Sequence, residues 1–176
     1  YGMSVCFLNG DFLLLARAKI SVLDRAFIFG DATYEVIPVR HGTPFALGEH
    51  LARLDRSLSA LNIDNPYTPS EWRMLFAKLI KKNGGGDQSL YVQVRRGPAP
   101  RDHLFPTSIT PTIFMMVQPN GQTNVPTQVS AITAEDIRWS RCDIKSTSLL
   151  ANVLLRNRAD AKSAYEAILL RNGWVT

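Results

Sequence analysis

The sequence predicts an α+β protein, in which a small domain packs an antiparallel sheet on two helices and a larger, mostly β domain then begins. Three observations carry this. Short apolar runs are joined by two-residue hairpin signals at Asn9-Gly10 and His41-Gly42. The apolar period then lengthens, with Leu51, Leu54, Leu58 and Leu61 recurring at spacings of three and four. Finally "PNGQTNVP", 119–126, is polar and turn-rich, the strongest boundary in the chain. The expected division is a domain over 1–118, a linker over 119–126, and an incomplete second domain over 127–176.

The elements follow in order. Residues 3–8 and 11–20 form a first strand pair, and 34–47 a second hairpin, in which Pro38 pushes its strand towards an edge or a bulge. A helix covers 48–63. Thr68 or Ser70 caps the next one, whose buried stripe is Trp72, Leu75, Leu79 and Ile80. "NGGGD", 83–87, ends it. "SLYVQVRR" and "TPTIFMMVQ" are strands separated by the proline-rich loop "GPAPRDHLFPTSI". Beyond the linker, "TQVSAIT" is a strand and "IRWSRCDI" a second extended piece. A helix then spans 148–165, with Leu149, Leu150, Val153 and Leu154 on its buried face. "EAILLRNGWVT" enters another Asn-Gly hairpin. Because isolated hairpins are only marginally stable, this chain of 176 residues is expected to be the N-terminal portion of a longer protein.

Composition narrows the function classes. With 45% apolar and 20% charged residues the chain is that of an ordinary globular protein. No apolar run approaches the roughly 20 residues of a membrane span. Cys6 and Cys142 stand far apart and read as two reduced thiols in a cytoplasmic protein, and no Cys/His spacing points to a metal. The net charge of +5 permits anionic partners. The basic residues are scattered, so the pattern favours a phosphate or carboxylate over nucleic acid.

Four features carry candidate chemistry. Lys145 sits at the seam of two apolar segments. A solvent-exposed lysine is the commoner situation; the alternative is an amine whose pKa falls from about 10.4 in an apolar or cationic setting, making it a nucleophile for a carbonyl. Arg138 and Arg141 are the cationic neighbours in sequence. Arg53 lies beside the leucine stripe with His50 one turn earlier; it either covers apolar surface with its stem or grips a phosphate through its planar fork. In the loop 97–106, Pro98, Pro100 and Pro106 stiffen the chain. It is either a plain rigid connection or a two-pronged carboxylate receptor built from Arg101 and His103. In "FGDATYEV", 29–36, Gly30 permits a sharp turn and Tyr34 starts a strand, as core tyrosines often do.

Taken in order, the blocks "DRAFIFGDATYEV", "GEHLARL", "VRRGPAPRDHLFP", "EDIRWSRCDIKS" and "YEAILLRNG" resemble the class IV pyridoxal-phosphate aminotransferases, and within them the D-amino acid branch. The resemblance runs from residue 3 to the end. It implies a fold-type IV enzyme using pyridoxal 5′-phosphate, with Lys145 as its Schiff-base lysine and proton shuttle. Arg53 would bind the cofactor phosphate, and His50 and Glu166 would support the cofactor network. Tyr34, Arg101 and His103 would hold the substrate α-carboxylate, with Val36 shaping the pocket. The implied reaction converts D-alanine and a 2-oxo acid to pyruvate and a D-amino acid. The implied assembly is a cytoplasmic homodimer, in which the Arg101/His103 loop reaches towards the partner's site. Partners would be small amino and oxo acids, with neither nucleic acid nor membrane. The alternatives are a branched-chain or R-amine aminotransferase, an aminodeoxychorismate lyase, or a non-catalytic truncated homologue. The family's acidic partner of the pyridine nitrogen would fall immediately after Thr176, so the 176-residue stretch alone is expected to be inert.

Overall fold

The computed structural model describes residues 4–119 and 128–176. Apart from Pro119, the expected linker lies outside the described residues. These residues divide into two compact units. The first holds 4–119 together with 143–147, and the second 128–142 together with 148–176. The division is therefore not a single cut, because five residues around Lys145 belong with the N-terminal unit.

That unit is built on strands β1 (Val5–Leu8), β2 (Asp11–Leu14), β3 (Ala32–Arg40), β4 (Thr43–Pro44), β5 (Gln88–Arg95) and β6 (Thr112–Pro119). They form one sheet in the order β2-β1-β6-β5-β3-β4, and every pairing is antiparallel. Asn9-Gly10 and His41-Gly42 turn with positive φ at both residues, the twist a tight hairpin needs. Ile37, Val39, Leu90, Val92, Val94, Met115 and Val117 line one face of the sheet. Against them pack Leu51, Leu54 and Leu58 of helix α2 (Leu47–Ala60) and Trp72, Phe76, Leu79 and Ile80 of helix α3 (Pro69–Lys82). Thr68 caps α3 through a reciprocal bond with Glu71. A short helix, α1 (Arg25–Phe29), precedes β3 and is capped by Asp24.

Two sequence expectations in this unit are corrected. The strand over 11–20 ends at Leu14 and gives way to a 3-10 turn over Leu15–Arg17. β2 is an edge strand, and its last rung is the bond from Leu15 N to Ser4 O. On α3, Phe76 takes the core position expected of Leu75, which is only partly buried.

In the second unit, β7 (Ala131–Glu135) and β8 (Glu166–Arg171) pair in parallel, with α4 (Leu150–Asp160) as the crossover helix. β9 (Trp174–Val175) returns antiparallel through the Asn172-Gly173 turn. Residues 137–144 form no strand. The buried face of α4 is Leu155 and Ala159, whereas Leu150, Val153 and Leu154, expected inside, are exposed by 53–72%. A parallel crossover helix meets its sheet along one narrow line, and here Leu155 and Ala159 occupy it.

Candidate active site

Period two along β3 decides which side chains meet. Glu35 points to the helix-covered side and is 1% exposed, while Tyr34 and Val36 point to the other. A carboxylate buried to that degree needs compensating donors, and α2 supplies them. Arg53 donates from Nε to Glu35 Oε1 at 2.6 Å and from Nη2 to Oε2 at 2.7 Å. His50 Nδ1 lies 2.9 Å from the same Oε2, which makes that nitrogen the N–H donor. Arg53 and His50 fall on one face of α2 because they are three residues apart. Hydrogen bonding to Glu35 raises Arg53 above even its ordinary basic range.

Residues 143–147 lie along the start of β3. Tyr34 N donates to Lys145 O at 3.0 Å, Thr147 N to Ala32 O at 3.1 Å, and Thr33 and Ser146 form an antiparallel bridge. From α2, the buried Ser57 hydroxyl accepts Lys145 N at 3.2 Å. Ile144 and Ser146 are both buried, so the main chain on either side of the lysine is fixed. Its side chain lies over Tyr34, with Nζ 4.1 Å from the ring centroid. Among the described residues, Nζ has no hydrogen-bond or ion-pair partner. Tyr34 in turn stacks on Tyr91 at 5.7 Å.

Arg101 and His103 form a second group. The Arg101 guanidinium is 5.6 Å and the His103 ring 5.3 Å from the centre of Phe29. Both are exposed. No hydrogen bond or ring contact links them to Lys145 or Tyr34 among the described residues. Val36 is 40% exposed on the Tyr34 side of β3. Glu166 opens β8 in the second unit, where its Oε1 accepts Ala167 N at 2.9 Å. Arg138, read in the sequence as a cationic neighbour of Lys145, has its guanidinium on Asp136 through two bonds of 2.9 Å.

Sequence reasoning missed Glu35, Ser57 and Arg25. Glu35 was detectable, since strict alternation sets it on the same face as Ile37 and Val39, where a carboxylate needs a reason. Ser57 carried no signal, because one serine inside an amphipathic helix is unremarkable.

An amine held over an aromatic ring by a fixed main chain, with no hydrogen-bond or ion-pair partner among the described residues, suits carbonyl chemistry, and the guanidinium–carboxylate–imidazole cluster suits phosphate. The similarities to known proteins point the same way. Residues 32–176 match the family model for amino-transferase class IV, and the chain belongs to that family. It is 42% identical over 176 residues to the D-alanine aminotransferase of Bacillus licheniformis, covering 99% of this chain and 62% of that protein. Against a Staphylococcus epidermidis D-alanine aminotransferase it is 41% identical over 177 residues, at 99% and 63%. Among solved structures, the branched-chain aminotransferase of Thermoproteus uzoniensis with norvaline superposes with a TM-score of 0.87 at 23% identity, covering 99% and 62%. A hypothetical aminotransferase from Mycobacterium tuberculosis in its PLP-bound form gives 0.78 at 22% identity, covering 98% and 64%. These two structural likenesses show the fold alone. The chain spans less than two thirds of the length of each of these relatives.

Proposed function

We propose that the whole protein is a pyridoxal-phosphate-dependent transaminase of D-amino acids, converting D-alanine and a 2-oxo acid to pyruvate and a D-amino acid. The observation that carries the reading is the Lys145 amine over Tyr34, which has no hydrogen-bond or ion-pair partner among the described residues; Arg53 adds a guanidinium with one nitrogen to spare. Glu35 occupies Nε and Nη2 of Arg53. Nη1 has no partner among the described residues, and the side chain is 43% exposed. The residues present therefore fit the cofactor, with a nucleophilic amine for its aldehyde and an oriented guanidinium for its phosphate.

When bound, pyridoxal phosphate supplies an electron sink for the charge left as the substrate's α-C–H bond breaks. The chain's residues do the rest. Lys145 Nζ takes the α-proton and returns it, a role that requires a neutral amine and a fixed main chain. Glu35 locks the Arg53 fork, so phosphate binding costs little further side-chain ordering. Arg101 and His103 bind the substrate carboxylate, leaving the side chain one direction and thereby selecting the D-enantiomer. The Arg-x-His pair and the D-alanine aminotransferase relatives support this over a branched-chain or amine reaction. The same reading takes the protein to be a cytoplasmic homodimer. Both cysteines are free, and no helix among the described residues is long and apolar enough to cross a membrane.

A substrate panel on the whole, cofactor-loaded protein tests it. Transfer from D-alanine to a 2-oxo acid is expected, with little from L-leucine or a simple amine. Activity on L-branched-chain acids, amines or aminodeoxychorismate, with none on D-alanine, would move the protein to another class IV reaction.

A further inference from the structure

α1, the entrance to the strand after it and the residue following β5 hold three charges that the proposed chemistry leaves unused. Arg25 is 3% and Arg96 4% exposed, and both reach the carboxylate of Asp31. Arg25 Nε donates to Asp31 Oδ2 at 2.8 Å, Arg96 Nε to Oδ2 at 2.7 Å, and Arg96 Nη2 to Oδ1 at 3.1 Å. Two guanidinium groups on one carboxylate leave an excess positive charge out of water. Such a charge persists only where its remaining donors find acceptors. They find main-chain carbonyls. Arg96 Nη1 donates to Asn62 O at 2.9 Å, and Arg25 Nη1 donates to both Asp102 O and Leu104 O, the second at 3.3 Å.

Those two carbonyls flank His103 and follow Arg101. The loop that bears the proposed carboxylate ligands is thus pinned to α1 at its middle. Its beginning is pinned as well. Asp24 and Pro98 form a bridge, Arg25 N donates to Gly97 O at 2.9 Å, and Ala99 N donates to Leu23 O at 3.2 Å. Gly97, at φ +113°, passes so close to the chain leading into β6 that a Cβ there would lie 2.3 Å from Thr110 O. Phe29, one turn beyond Arg25 on the same helix, meets the Arg25 and Arg101 guanidinium groups and the His103 ring. The prolines limit how the loop bends, and the bonds from Arg25 tie its main chain at 102 and 104 to α1.

We infer that Arg25 is a positioning residue for substrate-carboxylate recognition. Held by Asp31, it fixes the backbone around His103, so that Arg101 and His103 present their groups in one orientation. The inference rests on the reading of Arg101 and His103 as carboxylate ligands. Arg25 itself touches neither substrate nor cofactor.

The test uses the whole, cofactor-loaded protein and the variants Arg25→Gln, Arg101→Ala and their double. Readouts are KM and kcat for D-alanine, cofactor absorbance, and the inhibition constant of propionate, which has the carboxylate but no amine. Arg25→Gln is expected to raise KM and the propionate constant about tenfold, while kcat and cofactor content change by less than about threefold. Because Arg25 acts through Arg101 and His103 together, its loss should cost clearly less on top of Arg101→Ala than it costs alone. Losses that multiply, or a propionate constant within about twofold of the parent in Arg25→Gln, would overturn the inference. If Arg101→Ala raises the constants and Arg25→Gln does not, only the positioning role fails. If Arg101→Ala itself changes neither constant, the carboxylate reading fails and takes this inference with it. Should Arg25→Gln not fold, Arg25→Lys keeps the charge against Asp31 but donates from a single atom, and is held to the same propionate criterion.

Discussion

The Nζ of Lys145 lies 4.1 Å from the centre of the Tyr34 ring, and the main chains of the two residues are hydrogen-bonded. The lysine that the sequence puts some 110 positions away from the tyrosine is thus registered to it by backbone as well as by side chain. The ring gives the lysine side chain a fixed aromatic face to lie on. Tyr34→Phe keeps that face and is expected to keep cofactor binding, so its kinetic loss reports the hydroxyl. Tyr34→Ala removes the face as well and should lower kcat several-fold further than Tyr34→Phe. Single-turnover kinetics of the two variants check this, and equal losses would mean that the ring itself does not place the amine.

Arg101 and Arg53 are expected to fail differently. Losing a charge-assisted contact to the substrate costs about 1.5–3 kcal/mol, or roughly 10–150-fold in catalytic efficiency. Arg101→Ala should show this on D-alanine with cofactor content intact. Arg53→Ala should instead weaken pyridoxal phosphate first, seen by titrating the apo protein with cofactor. Equal cofactor loss in both variants would make Arg101 a structural residue.

Arg53→Ala has a second expected effect, on stability. It leaves the Glu35 carboxylate, 1% exposed, with His50 as its remaining side-chain partner. Breaking a buried pair this way costs about 3–5 kcal/mol, and the low end applies because His50 stays. Glu35→Gln strands only an arginine that is already 43% exposed, so it should cost less. Urea melts of the two variants give the comparison, and the reverse order would contradict it.

How much of this was legible in the sequence differs by element. Helices α2 and α3 and the tight hairpins were, because leucine spacing, a Thr or Ser cap and Gly-containing turn pairs are local signals. The family blocks marked Lys145 and Arg53 as residues to watch. Local signals could not show that 143–147 joins the first unit, because that depends on pairing with β3 over long sequence separation. Nor could they orient α4. Its leucines occur on more than one face, and packing rather than periodicity selected Leu155. The Arg25–Asp31–Arg96 cluster was hidden for a related reason, since its three charges lie up to 71 positions apart and charged residues read as surface until a structure buries them.

In the second unit Asp136 gives a pH prediction. Its carboxylate accepts from Arg138, from Arg171 Nη2 at 2.9 Å and from Thr176 Oγ1 at 2.8 Å. The Arg138 hydrogen bonds above all hold it well below the ordinary aspartate range. With the folded value below the unfolded value of about 3.9, its stabilisation is complete above that pH and is lost as pH falls towards the folded value. The thermal midpoint of Asp136→Asn should therefore trail the parent's near neutrality, and the gap should narrow below about pH 4. A gap of constant size across that range would contradict the assignment.

The most direct test of the central claim is to find where the cofactor attaches. Borohydride reduction of the whole protein loaded with pyridoxal phosphate, followed by peptide mass spectrometry, reads that position. The account predicts a reduced pyridoxyl adduct on the peptide carrying Lys145, at its Nζ, and no such adduct after Lys145→Ala. An unmodified Lys145, or an adduct on another lysine of the parent protein, would contradict it.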